Sequence, residues 1–175
     1  MKAYLRNPLI GTHLCAPAYA FKAGKTVDQL SPDIFVTDAV LLDLTRKRPG
    51  EVVDDEDMEA AEEDAGLAVR EGEAVILHIT PETQKRASRK HAFLSENAAQ
   101  YFEFKRVSMV GIDARSLGPE TGPSPTHKIL LHKKIPVLEW LCNLDQIEAD
   151  RFRIVALPLK VKAPVSPARA LAIED

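Results

Sequence analysis

Three short aliphatic runs constrain this chain most: Ala39–Leu44 (AVLLDL), Ala74–Ile79 (AVILHI) and Val107–Ile112 (VSMVGI). Each has the composition of a buried strand. Helix-like segments lie between them. Asp54–Ala65 carries Asp and Glu in its first turn, where they suit the helix dipole, and Gly66 follows as a stop. Ser95 is a suitable N-cap for a helix from Glu96 to about Lys105. A helix over Thr126–His132, a strand over Pro136–Leu141, and strands over Ile154–Val161 and Ala168–Ile173 complete the pattern. Residues 81–90 and the Pro/Gly-rich 118–125 stretch read as loops. Strands alternating with helices predict the α/β class.

Composition bounds the rest. With 175 residues, 45% hydrophobic and 28% charged, residues 1–175 are expected to form a single domain with its own core. No apolar run approaches the roughly 18 residues a membrane span needs. Met1–Pro8 has no apolar core or cleavage site of a secretory signal. Two distant cysteines do not suggest a disulfide framework. These features predict a cytoplasmic protein. A net charge of −3 gives no electrostatic reason to expect nucleic acid. The acidic residues of 54–64 alternate with Ala and Met at helical spacing, and read as a solvated helix face rather than a metal site.

Two motifs carry chemistry. Residues 9–19 read Leu9-Ile10-Gly11-Thr12-His13-Leu14-Cys15-Ala16-Pro17-Ala18-Tyr19. Further on, Pro125-Thr126-His127 is followed by Glu139 twelve residues after the histidine. A strand at 136–141 would put Ile135, Val137, Glu139 and Leu141 on one face. A carboxylate on such a face needs a partner, a metal or a basic side chain.

These segments resemble the cyclase family of metal-dependent hydrolases, which includes kynurenine formamidase and isatin hydrolase. That family's first motif reads His-x-Gly-Thr-His-x-Asp-x-Pro-x-His. The likeness continues through His91–Ser95, Leu141–Leu144, Phe152–Lys160 and Ser166–Ala170, in the family's order. It implies the swivelling β/β/α fold, a mixed sheet curled into a partial barrel with helices outside. It also implies a chain that starts late relative to the first motif, and a homodimer or homotetramer.

Carried over residue by residue, the resemblance implies metal ligands at His13, His127 and Glu139, with Cys15 standing where the family has Asp. Leu9 replaces the first histidine and Tyr19 the last. Tyr19 is thereby the candidate catalytic residue, a hydrogen-bond donor to a developing oxyanion rather than a base, since a free phenol titrates near 10. Loss of Leu9's counterpart and of the bridging Asp argues for one divalent cation per chain. A thiolate at Cys15 would favour zinc over manganese. Three ligands leave an open catalytic position, whereas four make a closed, structural-type set. Gly11 and Thr12 read as structural, Gly11 for its φ freedom and Thr12 for a local hydroxyl bond. Cys142 reads as core, and His132 as solvated.

Two functions follow from the resemblance. One is hydrolysis of a non-peptide C–N bond in a small molecule, an aryl formamide or a cyclic amide. The other is a catalytically impaired family member with a binding or assembly role, with or without a structural zinc.

Overall fold

The computed structural model describes residues 9, 11–81, 90–119 and 122–174. Seven strands form a closed, mixed barrel. They are β1 (His13–Cys15), β2 (Val36–Asp43), β4 (Ala74–His78), β6 (Met109–Ile112), β7 (Val137–Glu139), β8 (Arg151–Pro158) and β9 (Val165–Ile173), in spatial order β1-β7-β6-β4-β2-β8-β9. β3 (Val52–Val53) and β5 (Phe93–Leu94) form a separate parallel pair. β2, β4, β6 and β7 run parallel, while β8 pairs antiparallel with both β2 and β9.

The expected partial barrel is in fact closed. Closure depends on β1, which pairs antiparallel with β7 on one side and β9 on the other through the same three residues. No strand was expected there, because three residues inside a motif give no readable periodicity.

Helices α1 (Asp55–Asp64), α2 (Glu96–Lys105) and α3 (Pro125–His132) begin at caps written in the sequence. The Asp54 backbone N–H bonds the Asp57 carboxylate at 2.9 Å, one half of a capping box. Ser95 Oγ accepts from Ala98 N at 3.1 Å. Ser124 caps α3, with Pro125 in its first turn. Gly66, at φ 63, ends α1 as expected, and Arg106 ends α2 in a left-handed conformation at φ 54.

Strand alternation sorts the core into two layers. Leu14, Ala39, Ile76, Met109, Leu138, Phe152 and Ile154 fill the barrel. Val40, Leu42, Val75, Leu77, Val110, Ile112 and Val137 face outward, against Met58, Phe102, Leu130 and Leu131 of the helices. Full burial of Phe102 alone stabilises by about 1.5–3 kcal/mol. Among the described residues, no helix is long and apolar enough to cross a membrane.

Several strand limits differ from expectation. The strand expected at 154–161 runs over Arg151–Pro158, and the last strand starts at Val165. The strand expected at 136–141 stops at Glu139, because Trp140 turns left-handed at φ 61. Leu141 consequently joins the barrel interior instead of sharing a face with Ile135 and Val137. Cys142 lies beyond this break and is exposed, not core. Residues 82–89 of the loop expected at 81–90 lie outside the described residues, as do residues 120 and 121 of the 118–125 loop.

Candidate metal centre

Backbone register brings the first two groups together. His13 of β1 is the direct cross-strand neighbour of Glu139 of β7, so both side chains emerge on the same face. That face is the outward one, toward the helices. Cys15 lies two residues along β1 and points the same way. His127 arrives from α3, which packs over β7.

Glu139 is the hub. His13 Nε2 lies 3.2 Å from Oε2, Cys15 Sγ donates to the same oxygen across 3.7 Å, and His127 Nε2 is 2.9 Å from Oε1. Leu117 N donates to Oε1 at 2.7 Å. All four side chains are shut from solvent: Cys15 and His127 are 0% exposed, His13 and Glu139 1%. Burial pushes the Glu139 carboxyl up. The hydrogen bonds from His127 and His13, the His127 charge and the Leu117 N–H overcome that and hold it at about 2. Glu139 is therefore a carboxylate at neutral pH. Burial, then the charge and hydrogen bond of Glu139, push the Cys15 thiol well above its ordinary range.

The donor set fits a cation. His13 Nδ1 is 2.8 Å from the Gly11 carbonyl, an obligate acceptor, so Nδ1 carries the hydrogen. Nε2 therefore donates to Glu139 Oε2, as the bond that lowers that carboxyl requires, only when the ring carries both protons; the neutral ring turns its Nε2 lone pair toward the carboxylate. Two acceptors in that position attract only if a proton or a cation lies between them. One ligand atom each from His13, Cys15 and Glu139 lie within 4.8 Å of one another. A histidine tied to a carbonyl through its other nitrogen is the usual outer-shell arrangement of a metal ligand.

His127 stands beside this trio, on the far carboxylate oxygen. It is fully buried. Its Nδ1 is 2.8 Å from Ser124 Oγ and accepts from Ser124 N at 3.2 Å. The helix cap thus orients the ring. Tyr19 closes the short 3-10 turn Pro17–Tyr19 and lies edge-on to His127, with centroids 5.4 Å apart. Burial first, then the charges of Cys15 and Glu139, push the Tyr19 phenol well above 10, against a hydrogen bond with the Gly122 backbone. The phenol therefore stays protonated near neutrality. Phe21, two residues on, lies edge-on to His132, with centroids 5.9 Å apart.

Three supporting groups were not read from the sequence. The Leu117 N–H comes from a loop and carries no sequence signal. The Ser124-Pro125 pair is a helix-start signal that could have revealed the His127 orientation. The third is Thr12, whose hydroxyl donates to the Trp140 carbonyl at 2.8 Å, not to a local group.

This chain belongs to the family described as "Putative cyclase", whose model matches residues 4–119. It is 30% identical over 172 residues to a kynurenine formamidase of Salinibacter ruber, covering 92% of this chain and 74% of that protein. It is also 30% identical over 176 residues to Cyclase-like protein 2 of Oryza sativa subsp. japonica, covering 94% of this chain and 61% of the relative. The chain thus spans about three fifths to three quarters of these relatives, and both alignments extend past residue 119 to include His127 and Glu139. A solved "potential metal-dependent hydrolase with cyclase activity" superposes with a TM-score of 0.76 at 28% identity, covering 95% of this chain and 79% of that one. Isatin hydrolase A from Ralstonia solanacearum has the same fold, with a TM-score of 0.80 at 23% identity over 96% of this chain and 73% of its own.

Proposed function

We propose that this chain is a metal-dependent hydrolase acting on a non-peptide C–N bond, in an aryl formamide or a cyclic amide. One observation carries the reading: the buried convergence of His13 Nε2, Cys15 Sγ and a Glu139 oxygen within 4.8 Å. The similarity to a kynurenine formamidase supports the substrate class. The closed barrel is then a variant of the swivelling β/β/α arrangement.

His13, Cys15 and Glu139 would hold one divalent cation, with His127 as the fourth protein ligand or its neighbour. Such a cation supplies an activated water near neutral pH and polarises a carbonyl. The chain's residues do the rest. Glu139 brings a fixed negative charge. His13 offers a lone pair held in place by Gly11. The Cys15 thiol must give up its proton to join, and its softness selects zinc over manganese. Ser124 fixes the His127 ring. Tyr19 keeps its proton and offers a hydrogen-bond donor beside His127, suited to a developing oxyanion.

A second reading is a catalytically impaired member with a binding or assembly role. It is favoured by one observation, that every candidate ligand is at most 1% exposed. Elemental analysis of chelator-free protein, followed by assays on an aryl formamide and a lactam, tests both. About one zinc per chain with turnover supports the hydrolase. One zinc without turnover supports the impaired member, and no metal after incubation with zinc and manganese removes the metal centre from either.

A further inference from the structure

The β1–β7 ladder ends at the pair that forms the candidate centre. His13 faces Glu139, and the next pair along would be Thr12 and Trp140. No backbone ladder can form there, because Trp140 is left-handed at φ 61. Its N–H turns away to the Ala114 carbonyl at 2.8 Å. Its carbonyl turns back toward β1 and meets the Thr12 hydroxyl at 2.8 Å. The Thr12 carbonyl in turn accepts from Ala168 N at 3.0 Å, tying the same residue to β9. The Trp140 ring is pinned by the Arg115 guanidinium, 4.5 Å from its centroid. A bulky residue in the left-handed region persists only where its surroundings enforce it.

We propose that Thr12 is a positioning residue for the candidate metal centre, acting through the Trp140 carbonyl to set the separation of His13 and Glu139. The inference rests on the metal reading above. The side-chain bond stands where a ladder bond is missing, one residue beyond both ligands. Without it, β1 and β7 fray from the end that carries His13 and Glu139. The geometry asks for a hydroxyl and not for a β-branched shape, so serine serves and valine does not.

The test is a cobalt(II) titration of metal-free wild type, Thr12→Val, Thr12→Ala and Thr12→Ser, read by visible absorption. Thr12→Val and Thr12→Ala are expected to need about five- to tenfold more cobalt for half-saturation, the worth of one hydrogen bond. Thr12→Ser is expected to stay within about twofold of wild type on the same scale. Wild-type behaviour of Thr12→Val and Thr12→Ala overturns the proposal, as does Thr12→Ser binding as weakly as they do. If wild type takes up no cobalt, the metal reading falls by itself. The latch is then judged in metal-free protein by the ring ¹⁵N shifts of His13 and the fluorescence of Trp140, the sole tryptophan. Thr12→Val should move both and Thr12→Ser neither. Unmoved signals in Thr12→Val overturn the latch.

Discussion

The Cys15 thiol donates to the Glu139 carboxylate across 3.7 Å, inside a region closed to solvent. That relationship makes the two cysteines chemically unequal. Cys142 is exposed, whereas Cys15 is buried and held in its thiol form by burial and by the Glu139 charge. Only the thiolate attacks disulfide reagents. Native metal-free protein should therefore release one equivalent of chromophore quickly from a thiol-reactive dye, and the second only on unfolding. Cys142→Ser should abolish the fast phase. A fast phase that persists in Cys142→Ser would mean that Cys15 is accessible.

Glu139 links stability to acid pH. Its folded value is about 2 against an ordinary 4.5. The unfolded chain therefore binds a proton first as pH falls, and stability drops across that window. Above 4.5 the contribution is fully present. Glu139→Gln should flatten the urea midpoint between pH 4.5 and 2 relative to wild type. Glu139→Leu leaves the buried Leu117 N–H without its acceptor, at a cost of about 1–3 kcal/mol at pH 7. Equal acid slopes in wild type and Glu139→Gln would show that another carboxylate dominates.

At alkaline pH the sign reverses for the tyrosines. Tyr19 and Tyr101 are both pushed well above their ordinary 10, first by burial and then by nearby acids, Cys15 and Glu139 for Tyr19 and Glu62 for Tyr101. The unfolded chain loses those protons from about pH 10 upward while the folded chain keeps them. Stability is unaffected below that value and falls above it. Phenolate absorbance of native protein at pH 11 should fall well short of that of the urea-unfolded chain, and Tyr19→Phe should weaken the alkaline loss. Complete native ionisation at pH 11 would contradict this.

Two glycines separate backbone from side-chain constraint. A Cβ on Gly24 would stand 2.4 Å from the Pro17 carbonyl carbon and 2.6 Å from Ala18 N, in the turn that leads to Tyr19. Backbone there cannot give way locally. Gly24→Ala should cost about 1–3 kcal/mol. A Cβ on Gly111 would meet Ile76 Cδ1 at 2.5 Å and Leu141 Cδ1 at 3.1 Å, the far ends of flexible side chains. Gly111→Ala should cost less, and thermal melts of the two variants would rank them.

Much of the architecture was legible because its signals are local. The acidic first turn of α1, the Ser95 cap, the Gly66 stop and the aliphatic runs that became β2, β4 and β6 depend on neighbours a few residues away, although Asp54, expected inside α1, is its cap. The motif resemblance led to His13, Cys15, His127 and Glu139, which the fold gathers around one carboxylate. What escaped depends on residues far apart in sequence. β1 is too short to show a period, and its closure of the barrel is visible only once β7 and β9 flank it. The end of β7 at Glu139 was hidden because Val137, Glu139 and Leu141 look like uninterrupted alternation. A left-handed tryptophan has no sequence mark, and Cys142 was misplaced as a result.

β1 has a consequence for the order of assembly. Its three residues close the ring and also bring His13 and Cys15 to Glu139, and His13 and Glu139 are 126 positions apart. The packing of α1 on α2 joins segments much closer in sequence. His13 and Cys15, made early, must wait unpaired until residues 137–139 and 165–167 leave the ribosome. Barrel closure and the convergence of these three side chains are then one late event. A nascent chain stalled before residue 137 would hold the early histidine and thiol without the carboxylate they meet in the finished molecule.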